Sequence, residues 1–234
     1  MRFNRSTFAS LLAIPLSFLA VSAQATPVSG QANIAGNVTV TPTSILFAPT
    51  FTTTTGAMET GSFAGITGGT IQSLSGGPNT GNVFVPGFAV FTGGAGFTPI
   101  TFDLTYIAPG VGTLGGCSST TPGALCTPSG SPFTLIQLTS NTVIASLQFN
   151  GNSYTGSAAT GTSPTTSIFT TQTAFNGTIP QVLAQLSNPG GIPGVTYSAS
   201  FNASSPVPEP ASLLLMGLGL VGAGVVARRK AVKN

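Results

Sequence analysis

The sequence predicts an all-β body, an antiparallel sandwich with long Gly/Pro/Thr-rich loops, set between an N-terminal signal-peptide helix and a C-terminal transmembrane helix. Three observations carry this. Short segments alternate apolar and polar residues, the pattern of half-buried strands. Turn-forming residues, 31 Gly and 18 Pro, punctuate them throughout. The two longest uncharged apolar stretches lie at the two termini, beside all of the cations. Apolar residues make up 41% of the chain, and aromatic residues recur at strand spacing. A disordered chain of similar Gly, Ser and Thr content is poor in both.

Taken in order, Met1 to Arg5 is a short basic region, and Phe8 to Val21 is apolar but interrupted by Ser10, Pro15 and Ser17. Ala23-Gln24-Ala25 is a small-x-small cleavage pattern, so residues 1–25 read as a secretory signal peptide and the mature chain begins near Thr26. The exported domain spans 26–203. Asn37 to Val40 and Ser44 to Phe47 are expected as edge strands. Val83 to Phe91 is an apolar run broken by Pro86-Gly87. In the next strand Phe102, Leu104 and Tyr106 share one face, which puts Asp103 on the solvent face with Thr101 and Thr105.

Phe133 to Thr139 and Thr142 to Phe149 form a hairpin about Ser140-Asn141. Asn150-Gly151 is a strong turn signal and ends that strand. Ser167 to Phe175 adds another strand, ended by Asn176-Gly177. Thr178 caps a short helix, Pro180 to Leu186, stopped by Asn188-Pro189-Gly190. Val195, Tyr197, Ala199 and Phe201 share the inner face of a last strand. Residues 204–207 are a linker, and no fixed-period repeat stands out.

The formal net charge of +3 misrepresents the body. All six basic residues, Arg2, Arg5, Arg228, Arg229, Lys230 and Lys233, lie in the two terminal segments. Between Thr26 and Val207 there is no Lys, Arg or His, and the acids are Glu59 and Asp103 alone. Nucleic-acid binding needs a row of phosphate-neutralising cations and is excluded. A Ser-His-Asp triad is impossible without His. A carboxylate-pair hydrolase requires Glu59 and Asp103 to converge. Zinc needs several Cys or His ligands, and calcium would have one carboxylate per site. The expectation is no catalytic residue, no metal and no cofactor.

Cys117 and Cys126 are the two cysteines of an exported chain, and they are expected to form one structural disulfide. Their spacing is not C-x-x-C, and no activating cation is near. Asn37-Val-Thr, Asn176-Gly-Thr and Asn202-Ala-Ser match N-x-[ST] and are read as chance. The row Thr39, Thr41 and Thr43 reads as an ordinary solvated strand face. Gly217-x-Gly219-x-x-Gly222 matches a dinucleotide fingerprint, yet no acidic residue follows it in the sequence.

The tail has three parts: Pro208-Glu209-Pro210, an uncharged Gly-rich run from Ala211 to Ala227, and Arg228-Arg229-Lys230. The 17-residue run is about 25 Å long as a helix, at the short end for a bilayer span. The basic flank 228–234 places the C-terminus in the cytoplasm. Pro208 and Pro210 keep Glu209 in extended chain outside the helix. This arrangement, 208–234, resembles the sorting tail of the PEP-CTERM family. The resemblance implies a Gram-negative bacterium with an exopolysaccharide matrix, and recognition of Pro208, Glu209 and Pro210 by an exosortase, a membrane-embedded transpeptidase-like enzyme. It implies export through the inner membrane and transient anchoring by the C-terminal helix with the body in the periplasm. Release to the cell surface or medium follows.

The expected function is therefore a non-enzymatic surface or matrix protein of the biofilm, with exosortase, the membrane and exopolysaccharide as partners. A carbohydrate-binding or adhesive module is the alternative. It is weakened by the absence of Trp and by only three tyrosines, Tyr106, Tyr154 and Tyr197. A tethered hydrolase is the third reading.

Overall fold

The computed structural model describes residues 27–54, 59–75, 80–158 and 161–205, together with positions 217 and 220. The expected signal peptide with Ala23 and Ala25, the Pro208-Glu209-Pro210 motif and the Arg228-Arg229-Lys230 stop lie outside them. So does the apolar run 211–227, apart from Gly217 and Leu220, whose backbone is helical. Among the described residues no helix is long and apolar enough to cross a membrane.

Among the described residues, twelve strands and one α-helix make up the body. The strands are β1 (Gly30–Val40), β2 (Ile45–Phe47), β3 (Thr50–Thr53), β4 (Ile66–Ile71), β5 (Gly81–Gly93), β6 (Ile100–Ile107), β7 (Leu125–Cys126), β8 (Thr134–Thr139), β9 (Thr142–Thr155), β10 (Ser163–Thr171) and β11 (Phe175–Asn176). The helix α1 (Ile179–Leu186) and the strand β12 (Ile192–Ala203) complete the order. Every pairing is antiparallel.

The architecture is all-β, as expected, but it is a closed barrel and not a sandwich. Strand order runs β10-β12-β1-β3-β4-β5-β6-β9 and returns to β10, eight strands in a ring. Closure depends on β9. It runs straight through Asn150-Gly151, where the sequence suggested a turn, and pairs with β6 on one edge and β10 on the other. A glycine is required there because of its neighbour: a Cβ at position 151 would lie 2.0 Å from the Asp103 carbonyl oxygen. Once β9 continues, β10 docks on it, β12 on β10 and β1 on β12, and the ring leaves few free edges. Asn37 to Val40 consequently belong to an inner strand, with β12 on one side and β2 and β3 on the other.

The interior is filled by aromatic rings. Phe102, Phe149 and Phe201 meet at centroid distances of 5.2 to 6.0 Å, and Phe91 joins Phe201 at 5.1 Å. Edge-to-face contact at such distances adds to the area term. The inner face of β12 is the predicted alternation of Val195, Tyr197, Ala199 and Phe201, all buried. The β8–β9 hairpin about Ser140-Asn141 is as expected, with Thr139 opposite Thr142. The predicted strand at Ser167 to Phe175 instead begins at Ser163, and its end is split off as β11. The helix has its predicted cap: Gln181 Oε1 accepts from the Thr178 amide at 2.9 Å.

Candidate functional site

The predicted disulfide is formed. Cys117 and Cys126 are bonded with their Cα atoms 4.6 Å apart, and Cys126 is buried in β7, opposite Leu135 of β8. It anchors a Gly/Pro/Thr-rich loop that is also tied to β8 by backbone hydrogen bonds, Gly123 N–H to the Gln137 carbonyl at 2.8 Å among them, and by hydroxyl contacts. The Thr127 and Thr134 hydroxyls pair at 3.0 Å, and the Gly112 amide donates to Thr127 Oγ1 at 3.1 Å.

Asp103 was expected on the solvent face, and the structure corrects this. The side chain does leave the outer face of β6, but it is only 8% exposed. The cover comes from β5, whose register with β6 slips between Val85 and Ala89. The extra residues Pro86-Gly87 bulge across the carboxylate, with Gly87 at φ +59°, a conformation that favours glycine. The Gly87 amide donates to Asp103 Oδ1 at 2.7 Å, and the Tyr154 hydroxyl donates to the same oxygen at 3.3 Å. From the opposite side, Gln72 Nε2 donates to the Pro86 and Gly87 carbonyls, each at 2.8 Å. The bulge is thus held by a carboxylate on one flank and an amide on the other.

The hydrogen bonds of Asp103 go to Gly87 and Tyr154, and none joins it to Glu59. Glu59 lies in the β3–β4 connection beside Thr60, whose hydroxyl accepts from the Gln31 amide of β1. No cluster of three or more His, Cys, Asp or Glu exists among the described residues. Three described surface depressions, of about 370, 120 and 560 Å3, are lined by Gly, Pro, Ser, Thr, Gln and apolar residues, with no Asp, Glu or Tyr in their walls.

The three tyrosines differ in environment. Tyr197 is buried against Phe47 and Phe169, at 5.2 and 5.1 Å between centroids. Burial pushes its phenol well above the ordinary value. Tyr154 is shifted the same way, by desolvation first, then by the negative charge of Asp103 and the hydrogen bond to it. Tyr106, expected on the face of Phe102 and Leu104, stands instead on the outer face of β6, opposite Asn82 of β5 and Asn150 of β9, because the register slips between Leu104 and Tyr106 and shifts the alternation.

One hub escaped sequence reasoning. Gln137 of β8 is fully buried. Its Nε2 donates to the Thr139 carbonyl at 2.7 Å and the Gly177 carbonyl at 3.3 Å, and its Oε1 accepts from the Ile179 amide at 2.8 Å. It joins the β8–β9 hairpin to the start of α1. A glutamine in an alternating strand gives no sign of which backbone groups will surround it.

Compared with known protein families, residues 206–230 match the PEP-CTERM protein-sorting motif. No curated protein and no solved structure matches the chain.

Proposed function

We propose that this chain, which carries the PEP-CTERM protein-sorting motif at residues 206–230, is a non-enzymatic surface or matrix protein handed to an exosortase by its tail. The motif implies exosortase processing, with export and sorting to the cell envelope or surface. The steps beyond that are our reading. The signal peptide takes residues 26–203 across the inner membrane, and residues 211–227 hold the chain there. Cleavage near Pro208-Glu209-Pro210 then releases the body into the exopolysaccharide matrix.

The observation that carries the reading is the match at 206–230 joined to a body whose sequence holds no cation and two acids. One of those acids, Asp103, is already engaged in holding a strand bulge. General acid–base chemistry needs a titratable group free to meet substrate, and a structural role for Asp103 leaves Glu59 alone.

The test is Glu209→Ala with fractionation of the cells and intact-mass measurement of the recovered protein. The expected result is protein retained in the membrane fraction with its tail uncleaved. Normal release with a normal C-terminus would count against exosortase handling at this motif.

A further inference from the structure

We infer that the outer face of β5, β6 and β9 is a binding surface for an uncharged oligosaccharide chain. The inference goes beyond sorting, and relies on it only for placing the body outside the cell.

Phe84 is 69% exposed. It stands on the outer face of β5, since its neighbours Val83 and Val85 pack against the core. Tyr106 and Tyr154, both half-buried, stand on the outer faces of β6 and β9. Every other described aromatic ring is packed into the core or, like Phe97, against it. Three outward rings have therefore gathered on three adjacent strands.

Register places them. Tyr106 is opposite Asn150, and Tyr154 is four residues further along β9. At ~3.3 Å per residue the two rings are offset by about 13 Å along the strands. Phe84 lies one strand beyond Tyr106, two residues from Asn82, which is opposite Tyr106. This spacing suits an extended chain of several rings better than one small molecule.

Between the rings are neutral amides. Asn82 is exposed, and Asn150 and Asn152 are half-buried on the same face. The Asn150 Oδ1 is covered, which leaves its amide nitrogen as the group this side chain can offer a ligand. Amides both donate and accept, which matches sugar hydroxyls, while aromatic faces take the apolar faces of sugar rings. No cation lies within residues 26–207, so an anionic glycan gains no ion pair. Asp103 is a positioning residue here: by accepting from Tyr154 it ties that ring across to β6, and by accepting from Gly87 it fixes the end of the segment that carries Phe84.

The experiment uses the exported protein, recovered from outside the cell, in native gels cast with dextran, galactomannan or hydroxyethylcellulose, and with alginate as the anionic polymer. Retardation by at least one neutral polymer is expected, with none by alginate. Phe84→Ala, Tyr106→Ala and Tyr154→Ala should each weaken it roughly two- to tenfold. Ile168→Ala, on the outer face of β10, should leave it unchanged. Circular dichroism of each variant separates lost binding from lost fold, and Tyr154→Phe retains a ring if Tyr154→Ala fails to fold. Failure of all three neutral polymers to retard the protein overturns the inference. So does retardation that survives loss of all three rings, retardation by alginate alone, or a Phe84-dependent dimer in sedimentation with no retardation. None of these results bears on the Glu209→Ala release assay.

Discussion

The Gly87 amide and the Asp103 carboxylate are joined by a 2.7 Å hydrogen bond that fastens a bulge of β5 over the outer face of β6. A bulge leaves backbone groups out of the ladder, and these need partners. Asp103 supplies the acceptor for the amide, and Gln72 supplies the donors for the two carbonyls.

The bond is charge-assisted and nearly out of solvent, so its loss has a measurable cost. Asp103→Ala leaves the Gly87 amide without its acceptor and the Tyr154 hydroxyl without its partner. A destabilisation of about 1.5–3 kcal/mol in denaturant unfolding is expected. Asp103→Asn keeps an acceptor oxygen in place and should cost less, about 1 kcal/mol. If Asp103→Ala stays within ~0.5 kcal/mol of the parent, the carboxylate behaves as an ordinary surface group.

Gln137 gives a second, separable prediction. Gln137→Leu preserves side-chain volume but strips acceptor and donor from buried backbone at Ile179 and Gly177, and a donor from the exposed turn at Thr139. A loss of about 2–4 kcal/mol is expected, because unsatisfied buried groups cost about 1–3 kcal/mol each. Hydrogen exchange should show the first turn of α1 opening more readily than the Phe102–Phe149–Phe201 core. Uniform loosening of both would place Gln137 in the global fold and not in the helix junction.

The Cys117–Cys126 bond closes a loop with a sequence separation of 9. The loop-entropy estimate for that length is about 2.5 kcal/mol. Replacing both cysteines with Ala should lower stability by that order while leaving the barrel folded, since the loop lies outside the eight-strand ring. Unfolding of the whole barrel on reduction would show that the bond holds the barrel as well as the loop.

Much of this was readable locally. The alternation Val195, Tyr197, Ala199, Phe201 names a strand and its buried face because period two is a property of neighbouring residues. Thr178 with Gln181 names a helix start for the same reason. What failed was non-local. Asn150-Gly151 has turn chemistry, but its conformation is set by β6 and β10 on either side, and barrel closure follows from those pairings. Asp103 does point outward as its alternation requires, and it is buried only because residues 86–87, on the adjoining strand, fold over it. The gathering of Phe84, Tyr106 and Tyr154 depends on the order of β5, β6 and β9, which no single strand's pattern encodes.

Tyr197 ties the core to pH. Its hydroxyl is buried without a hydrogen-bond partner among the described residues, and desolvation raises its phenol well above the ordinary tyrosine value. The unfolded chain, by contrast, releases that proton near pH 10. Stability is therefore complete below about pH 10 and falls as pH rises above it, because the unfolded state then binds fewer protons than the native one. The slope per buried tyrosine reaches about 1.4 kcal/mol per pH unit. Tyr154 acts in the same direction, since its shift is also upward. Tyr197→Phe removes the larger shift together with an unpaired hydroxyl. It should therefore flatten the alkaline decline and raise stability at neutral pH by about 1 kcal/mol. Denaturant midpoints of the two proteins between pH 8 and pH 11 decide this. Parallel curves would mean that the Tyr197 hydroxyl has a partner or a path to solvent in the folded protein.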